Sequence, residues 1–231
     1  MNSKNEYLEV IYNQEERPFT EYPNKLSKHL FEIFKLEKNQ KIIDIGCGRG
    51  EFINGFISCG MEGFAVDQSL IAKSHFPKIN LKQCNLDTEK IPFEDSFFDV
   101  VFSKSLVEHF YYPEKIFIEL KRILKPGGKI ITMTPDWDYN YINFYEDFTH
   151  RTPFTLTSLK DIQLINGFKN VEVHRFKQLP VLWNNDKNNT YKKFFLDLLS
   201  EITRIVIPEN MKKYKWVRFS KEIMLLSVAE K

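Results

Sequence analysis

The feature that most constrains this chain is a change of texture at residue 46. Residues 41–45 form a short apolar run, Gly46-Cys47-Gly48-Arg49-Gly50 follows at once, and Phe52, Ile53, Phe56 and Ile57 then recur at helical spacing up to Gly60. That is a strand, a glycine turn and a helix. The unit repeats: residues 62–67 read as strand two, 69–75 as a short helix, 79–85 as strand three and 98–102 as strand four. Pro113 opens a helix with Ile116, Phe117, Leu120, Ile123 and Leu124 on one face. Lys125-Pro126-Gly127-Gly128 stops it before strand five at 129–134. Residues 155–166 form another helix, 171–176 are strand six and 222–229 the last strand. Alternating β and α units imply an α/β fold, a parallel sheet with helices on both faces. With 231 residues, 42% of them hydrophobic, the chain can bury a core of its own as one domain.

Two stretches break the alternation. Residues 136–154 have no clear period but carry Trp137, Tyr139, Tyr141, Phe144, Tyr145, Phe148 and Phe154. Residues 178–221 centre on an amphipathic helix with Phe194, Phe195, Leu198, Leu199, Ile202 and Ile205 on its apolar face, stopped by Pro208. Residues 1–21 are mixed in charge and weakly periodic, and read as an arm. The segment 178–221 holds nine Lys/Arg against four Asp/Glu, so the net charge of +2 divides into +5 there and −3 elsewhere. A basic sub-region suits an anionic partner or a solvated helix face. Cys47, Cys59 and Cys84 form no paired motif, no secretory signal is visible in the first 25 residues, and no apolar run is long enough to span a membrane. A soluble, cytoplasmic protein is expected.

Glycines between a strand and a helix let the backbone approach a ligand closely and leave helix N–H groups available. The spacing here is G-x-G-x-G rather than the G-x-G-x-x-G of dinucleotide sites, and Asp67 closes strand two, placed to accept from a ribose diol. A ribose-bearing cofactor is favoured. The run from Ile42 to Gly50 resembles the first motif of class I S-adenosylmethionine-dependent methyltransferases. Asp87 to Asp99, with Ile91-Pro92-Phe93 at its centre, resembles that family's second acidic stretch. Glu108-His109 after strand four and Leu124-Lys125-Pro126-Gly127-Gly128 complete the set in the family's order. The resemblance covers residues 41–135. It implies a Rossmann-like seven-stranded sheet of order 3-2-1-4-5-7-6 with strand seven antiparallel, residues 1–231 as a single methyltransferase domain, and a lid built from the two insertions.

The resemblance also assigns a cofactor set, with S-adenosyl-L-methionine as cofactor and S-adenosyl-L-homocysteine as product. Asp44 is expected near the methionyl ammonium, Gly46, Cys47 and Gly48 against the amino-acid portion and ribose, and Asp67 on the ribose hydroxyls. Gln68 and the Leu86 backbone are expected beside the adenine, Asp87 on its exocyclic amine, and Ser103, just past strand four, along the methionyl part.

For the acceptor, His109 and His150 are the candidate bases, His109 with a capping or packing role as its alternative. His29, His75 and His174 read as structural. Residues 146–155, containing Asp147, His150 and Arg151, resemble a tract of methyltransferases associated with surface-polysaccharide and other small-molecule pathways. Asp147 and Arg151 are then substrate-binding candidates in an aromatic-walled pocket suited to a polar or phosphorylated acceptor, unless the aromatics simply pack on one another. A tRNA or rRNA methyltransferase is the nearest rival, carried by the run Lys212 to Arg218; a cofactor-binding partner subunit without chemistry of its own is another. A nicotinamide enzyme is disfavoured by the glycine spacing. No metal is expected, since the histidines and acids show no ligand spacing. The acceptor and the oligomeric state stay open.

Overall fold

The computed structural model describes residues 18–183 and 190–231. Most of the expected arm (1–17) and the segment 184–189 of the second insertion lie outside the described residues. The elements are α1 (Tyr22–Ile33), β1 (Lys41–Ile45), α2 (Glu51–Ser58), β2 (Glu62–Asp67), α3 (Ile71–His75), β3 (Asn80–Gln83), β4 (Phe98–Lys104), α4 (Pro113–Ile123) and β5 (Leu124–Pro135). They continue with α5 (Trp137–Asn140), α6 (Leu156–Ile165), β6 (Lys169–Lys177), α7 (Thr190–Val206), α8 (Lys215–Lys221) and β7 (Ile223–Glu230).

The sheet has the order β3-β2-β1-β4-β5-β7-β6. β1 to β5 pair in parallel, and β7 is antiparallel to both β5 and β6. The expected strand order and the antiparallel β7 are both present. Side chains alternate across the strands and build two cores. Leu26 and Leu30 of α1 and Ile53 and Phe56 of α2 cover Ile42, Val100 and Phe102 on one face. Ile116, Phe117 and Leu120 of α4 and Leu159 of α6 cover Ile43, Val101 and Ile130 on the other. Lys125-Pro126-Gly127-Gly128 is absorbed as an irregularity: Phe98 faces Leu124, but Val100 already faces Lys129. Thr155 and Ser158 close a reciprocal capping box at the start of α6. No helix of the described residues is long and apolar enough to cross a membrane.

Both insertions leave the carboxyl edge of the sheet, 136–154 after β5 and 178–222 after β6. The apolar face of α7 points away from the sheet. Phe194 is 70% exposed and Ile205 72%, and Phe195, Leu198, Leu199 and Ile202 are exposed as well. The inward stripe is instead Leu196, Ser200 and Thr203. Polar attachments decide this orientation. Lys177 at the end of β6 bonds Asp197 at 2.5 Å and Glu201 at 2.6 Å, and the Trp216 indole N–H donates to Thr203 Oγ1 at 3.0 Å.

Candidate functional site

At the end of β1 the chain turns through Gly46 (φ 73°) and Gly48 (φ 52°), backbone angles that side chains of L-residues rarely adopt. The two glycines differ in what a side chain would meet. A Cβ on Gly46 would lie 2.8 Å from Leu106 Cδ1, so the loop after β4 closes directly over the turn. A Cβ on Gly48 would meet nothing within 4 Å, so that peptide fronts open space. Gly48 N–H donates to Asp67 Oδ2 at 2.8 Å and Ser69 N–H donates to Asp67 Oδ1 at 2.9 Å. The carboxylate at the tip of β2 is thus fixed beside the turn, with acceptor capacity left on each oxygen. Burial raises the Asp67 pKa against the pull of these N–H groups.

Asp44 lies buried near the end of β1, and its Oδ2 has no hydrogen-bond partner among the described residues. Burial first, and then the charge of Asp67, push its pKa up to about 8, with Lys104 acting in the opposite direction. An orphaned buried carboxylate oxygen is costly unless a ligand completes it. A cation placed there does so. Together with the carboxylate acceptor Asp67 and the open peptide of Gly48, this fits a ligand that is both cationic and hydroxyl-bearing.

The remaining expected cofactor residues are placed unevenly. Cys47 is buried, and its N–H donates to the Val66 carbonyl at 3.3 Å. The Gln68 carbonyl accepts from Gln83 Nε2 at 2.8 Å and ties the ends of β2 and β3. Leu86 packs half-buried on the second core, and Asp87 is exposed in a turn where its N–H donates to Asn85 Oδ1. Ser103 departs from expectation. It lies inside β4, fully buried, on the face of Val101 rather than that of Asp44. Lys104 is the residue on the Asp44 face. Burial lowers the Lys104 pKa, while Glu108, Glu222 and Asp44 raise it. Sequence reasoning missed this lysine; its place as the last residue of a longer β4 was the available signal.

A second cluster is built from the turn Val107–His109 after β4 and the first insertion. Arg151 N–H and Thr152 N–H both donate to the Glu108 carbonyl, at 2.8 and 3.0 Å, and bring the insertion onto that turn. The His109 and His150 rings consequently meet edge to face, 4.8 Å between centroids. Thr149 Oγ1 lies 2.5 Å from Asp147 Oδ1 and 2.9 Å from His109 Nδ1. The shorter contact takes the hydroxyl proton to the carboxylate, so the Thr149 oxygen accepts from a protonated Nδ1, leaving Nε2 of His109 as a lone pair. His150 Nδ1 donates to the Phe144 carbonyl at 2.6 Å, which likewise leaves its Nε2 as the base. Burial, then His150, lower the His109 pKa, so this ring is neutral near pH 7. Burial works to raise the Asp147 pKa, but the Thr149 hydrogen bonds and both histidines outweigh it, and the group stays ionised.

The two expected substrate-binding residues also contact neighbours within the protein. Asp147 meets Thr149 and orients His109 through it. Arg151 spends Nη1 on the Phe148 and His150 carbonyls, at 2.5 and 3.0 Å, and lies over the Tyr111 ring, so its guanidinium braces the loop. Glu108 emerges as a site residue: fully buried, with Oε2 accepting from the Thr134 hydroxyl at 2.9 Å and Oε1 without a hydrogen-bond partner among the described residues. One donor atom each from Glu108, His109 and His150 lie within 4.8 Å of one another. Spacing along the chain hid this cluster because His150 arrives from a different loop.

The structural reading of the other histidines fits their placement: His29 stacks on Trp183, His75 contacts Phe19, and His174 is exposed beside Glu172. In the basic segment, Lys212 and Lys221 pair with Glu209, Arg204 with Glu201, and Arg218 lies 3.8 Å from Glu222. The net of +5 already counts Glu201 and Glu209, so the segment keeps its positive excess, with Glu222 the one acid here from beyond it.

Residues 43–132 match the family model described as a methyltransferase domain. With the seven-stranded order above, residues 43–132 are a methyltransferase domain within a class I methyltransferase fold, and S-adenosyl-L-methionine is the cofactor of such domains. Among curated relatives it is similar to sterol 4-C-methyltransferase strm-1 of Caenorhabditis elegans, 30% identical over 134 residues that cover 53% of this chain and 40% of that protein. Phosphoethanolamine N-methyltransferase 2 of the same organism is 30% identical over 160 residues, covering 61% of this chain and 36% of its own length. The chain thus spans well under half of either relative. A solved SAM-dependent methyltransferase from Archaeoglobus fulgidus superposes with a TM-score of 0.65 at 24% identity, over 96% of this chain and 99% of the other, and shares the fold.

Proposed function

We propose that this chain transfers a methyl group from S-adenosyl-L-methionine to an oxygen of a small polar or phosphorylated acceptor, of the sugar or nucleotide-linked sugar class, as in the building of surface polysaccharide. One observation carries the reading. Leu106, lying against Gly46, joins the cofactor turn to the Glu108–His109 turn, so two imidazoles with available Nε2 atoms stand next to the cofactor site. The bound cofactor supplies a methyl group already electrophilic on its sulfonium, so alignment and proton removal are what remain for the protein. Asp44 holds the ammonium, the peptides from Gly46 to Gly48 lie along the amino-acid portion and ribose, and Asp67 takes the ribose hydroxyls. Gln68, Leu86 and Asp87 border the adenine. The His109–His150 pair activates the acceptor hydroxyl, which is the reason for favouring oxygen over nitrogen. The segments 136–154 and 178–221, both rising from the carboxyl edge, form the wall against which the acceptor packs.

The test is a pair of measurements on one set of variants. Asn at position 109 or 150 is expected to abolish turnover of radiolabelled cofactor with sugar acceptors while calorimetry shows unchanged cofactor affinity. Normal turnover in both variants would retire the histidine assignment, and failure of the wild type to bind cofactor would retire the function. An RNA acceptor is the second reading, kept because Lys213 and Lys215 flank exposed Tyr214. A steep salt dependence of RNA binding would favour it.

A further inference from the structure

The Glu108, His109 and His150 cluster has a property that general-base catalysis does not require. Both Nδ1 atoms are already committed, His150 to a backbone carbonyl and His109 to a threonine backed by a carboxylate. This outer support, which fixes the tautomer and presents Nε2, is the kind that surrounds metal-bound histidines. Beside these rings stands a fully buried carboxylate with one oxygen anchored by Thr134 and the other unmatched. The second oxygen is the independent sign of a missing ligand, because a buried, orphaned carboxylate oxygen is rare unless an ion or proton completes it. Three donors each about 2.0–2.2 Å from one tetrahedral ion stand about 3.3–3.6 Å apart. The cluster, contained within 4.8 Å, reaches that spacing by side-chain shifts of at most about 1.5 Å.

We propose that Glu108, His109 and His150 bind a divalent transition-metal ion at the acceptor end of the cleft. Two neutral nitrogens and one carboxylate oxygen select the Mn, Co and Zn class over calcium or magnesium, which take mostly oxygen ligands. Three protein ligands leave positions open on the ion. Asp147, whose Oδ2 lies 4.0 Å from His150 Nε2, borders them. The inference deepens the methyl-transfer reading and rests on it for its purpose. The imidazoles then activate the acceptor through the ion, which holds the acceptor oxygen and eases loss of its proton to water.

The experiment uses the full chain without an affinity tag, stripped with chelator and returned to chelator-free buffer. Cobalt(II) titration followed by visible absorption, and manganese(II) titration followed by electron paramagnetic resonance, count and weigh the sites. One ion per chain is expected, with affinity at least about tenfold weaker in Glu108→Gln and in His150→Ala. Should Glu108→Gln fail to fold, judged by circular dichroism, His150→Ala decides alone. Absence of saturable binding by the wild type overturns the site, as does binding that both folded variants retain undiminished. Calorimetric cofactor affinity of the stripped protein is measured alongside. Retained cofactor binding without metal binding sinks the ion and leaves methyl transfer standing; the reverse result sinks methyl transfer alone.

Discussion

Cofactor affinity should depend on pH through Asp44, in a way calculable from its burial. The free chain holds this carboxyl with a pKa of about 8. A methionyl ammonium requires the ionised form, so binding must first remove the proton, and affinity rises with pH wherever the free chain is protonated. About 1% of free chains carry the charge at pH 6 and about half at pH 8, a gain that loss of about half the ammonium by pH 8 trims to roughly 25-fold, about 1.9 kcal/mol. Above pH 8 the gain stops, because an α-amino group itself loses its proton near there, giving a maximum close to pH 8. Calorimetry from pH 6 to 9 in two buffers of different ionisation enthalpy reads both affinity and protons released; at pH 7 most of one proton should leave per cofactor bound. Asp44→Asn should flatten the profile, and 5′-methylthioadenosine, which lacks the amino-acid portion, should show none of it. A wild-type affinity that stays level between pH 6 and 8 would refute the placement of the ammonium at Asp44.

Asp67→Ala removes the acceptor for both ribose hydroxyls and the anchor of Gly48, and should weaken cofactor binding roughly 10- to 100-fold by calorimetry with the fold intact by circular dichroism. Thr149→Val breaks the link between Asp147 and His109 Nδ1; turnover should fall at least about tenfold with unchanged cofactor affinity. The cofactor-free protein should lose thermal stability as pH rises from 5 to 8. Asp44 and Glu108 have folded pKa values of about 8 and about 7, above their ordinary 3.8 and 4.5, so their contribution is complete below those ordinary values and declines as pH rises through the folded ones. Scanning calorimetry checks this, and Glu108→Gln should reduce the slope.

The sheet order and the cofactor turn were legible in the sequence because their signals are local. Residues 41–50 carry strand, glycines and helix face in ten consecutive positions, and Asp67 sits at the end of an unbroken apolar run. Ser103 was misplaced because β4 continues two residues beyond its apolar stretch, to Lys104, held by pairing with β5 rather than by hydrophobicity. The direction α7 faces was not legible because amphipathicity marks the apolar side without saying which side the sheet will meet. Lys177, far upstream, settled that through Asp197 and Glu201. Arg151 was read as a substrate-binding candidate and Glu108 as part of a motif; their contacts with each other's loops come from hydrogen bonds that no spacing rule contains.

The division of labour along the sheet rim has an evolutionary consequence. Asp44 and Asp67, assigned here to the cofactor, are fixed by the ends of β1 and β2, whereas the wall proposed for the acceptor is chain inserted after β5 and β6. Exchange or drift of those inserts can retarget the enzyme to a new compound without disturbing delivery of the methyl group, so lineages sharing this scaffold can diversify in chemistry by rewriting one flank of the molecule.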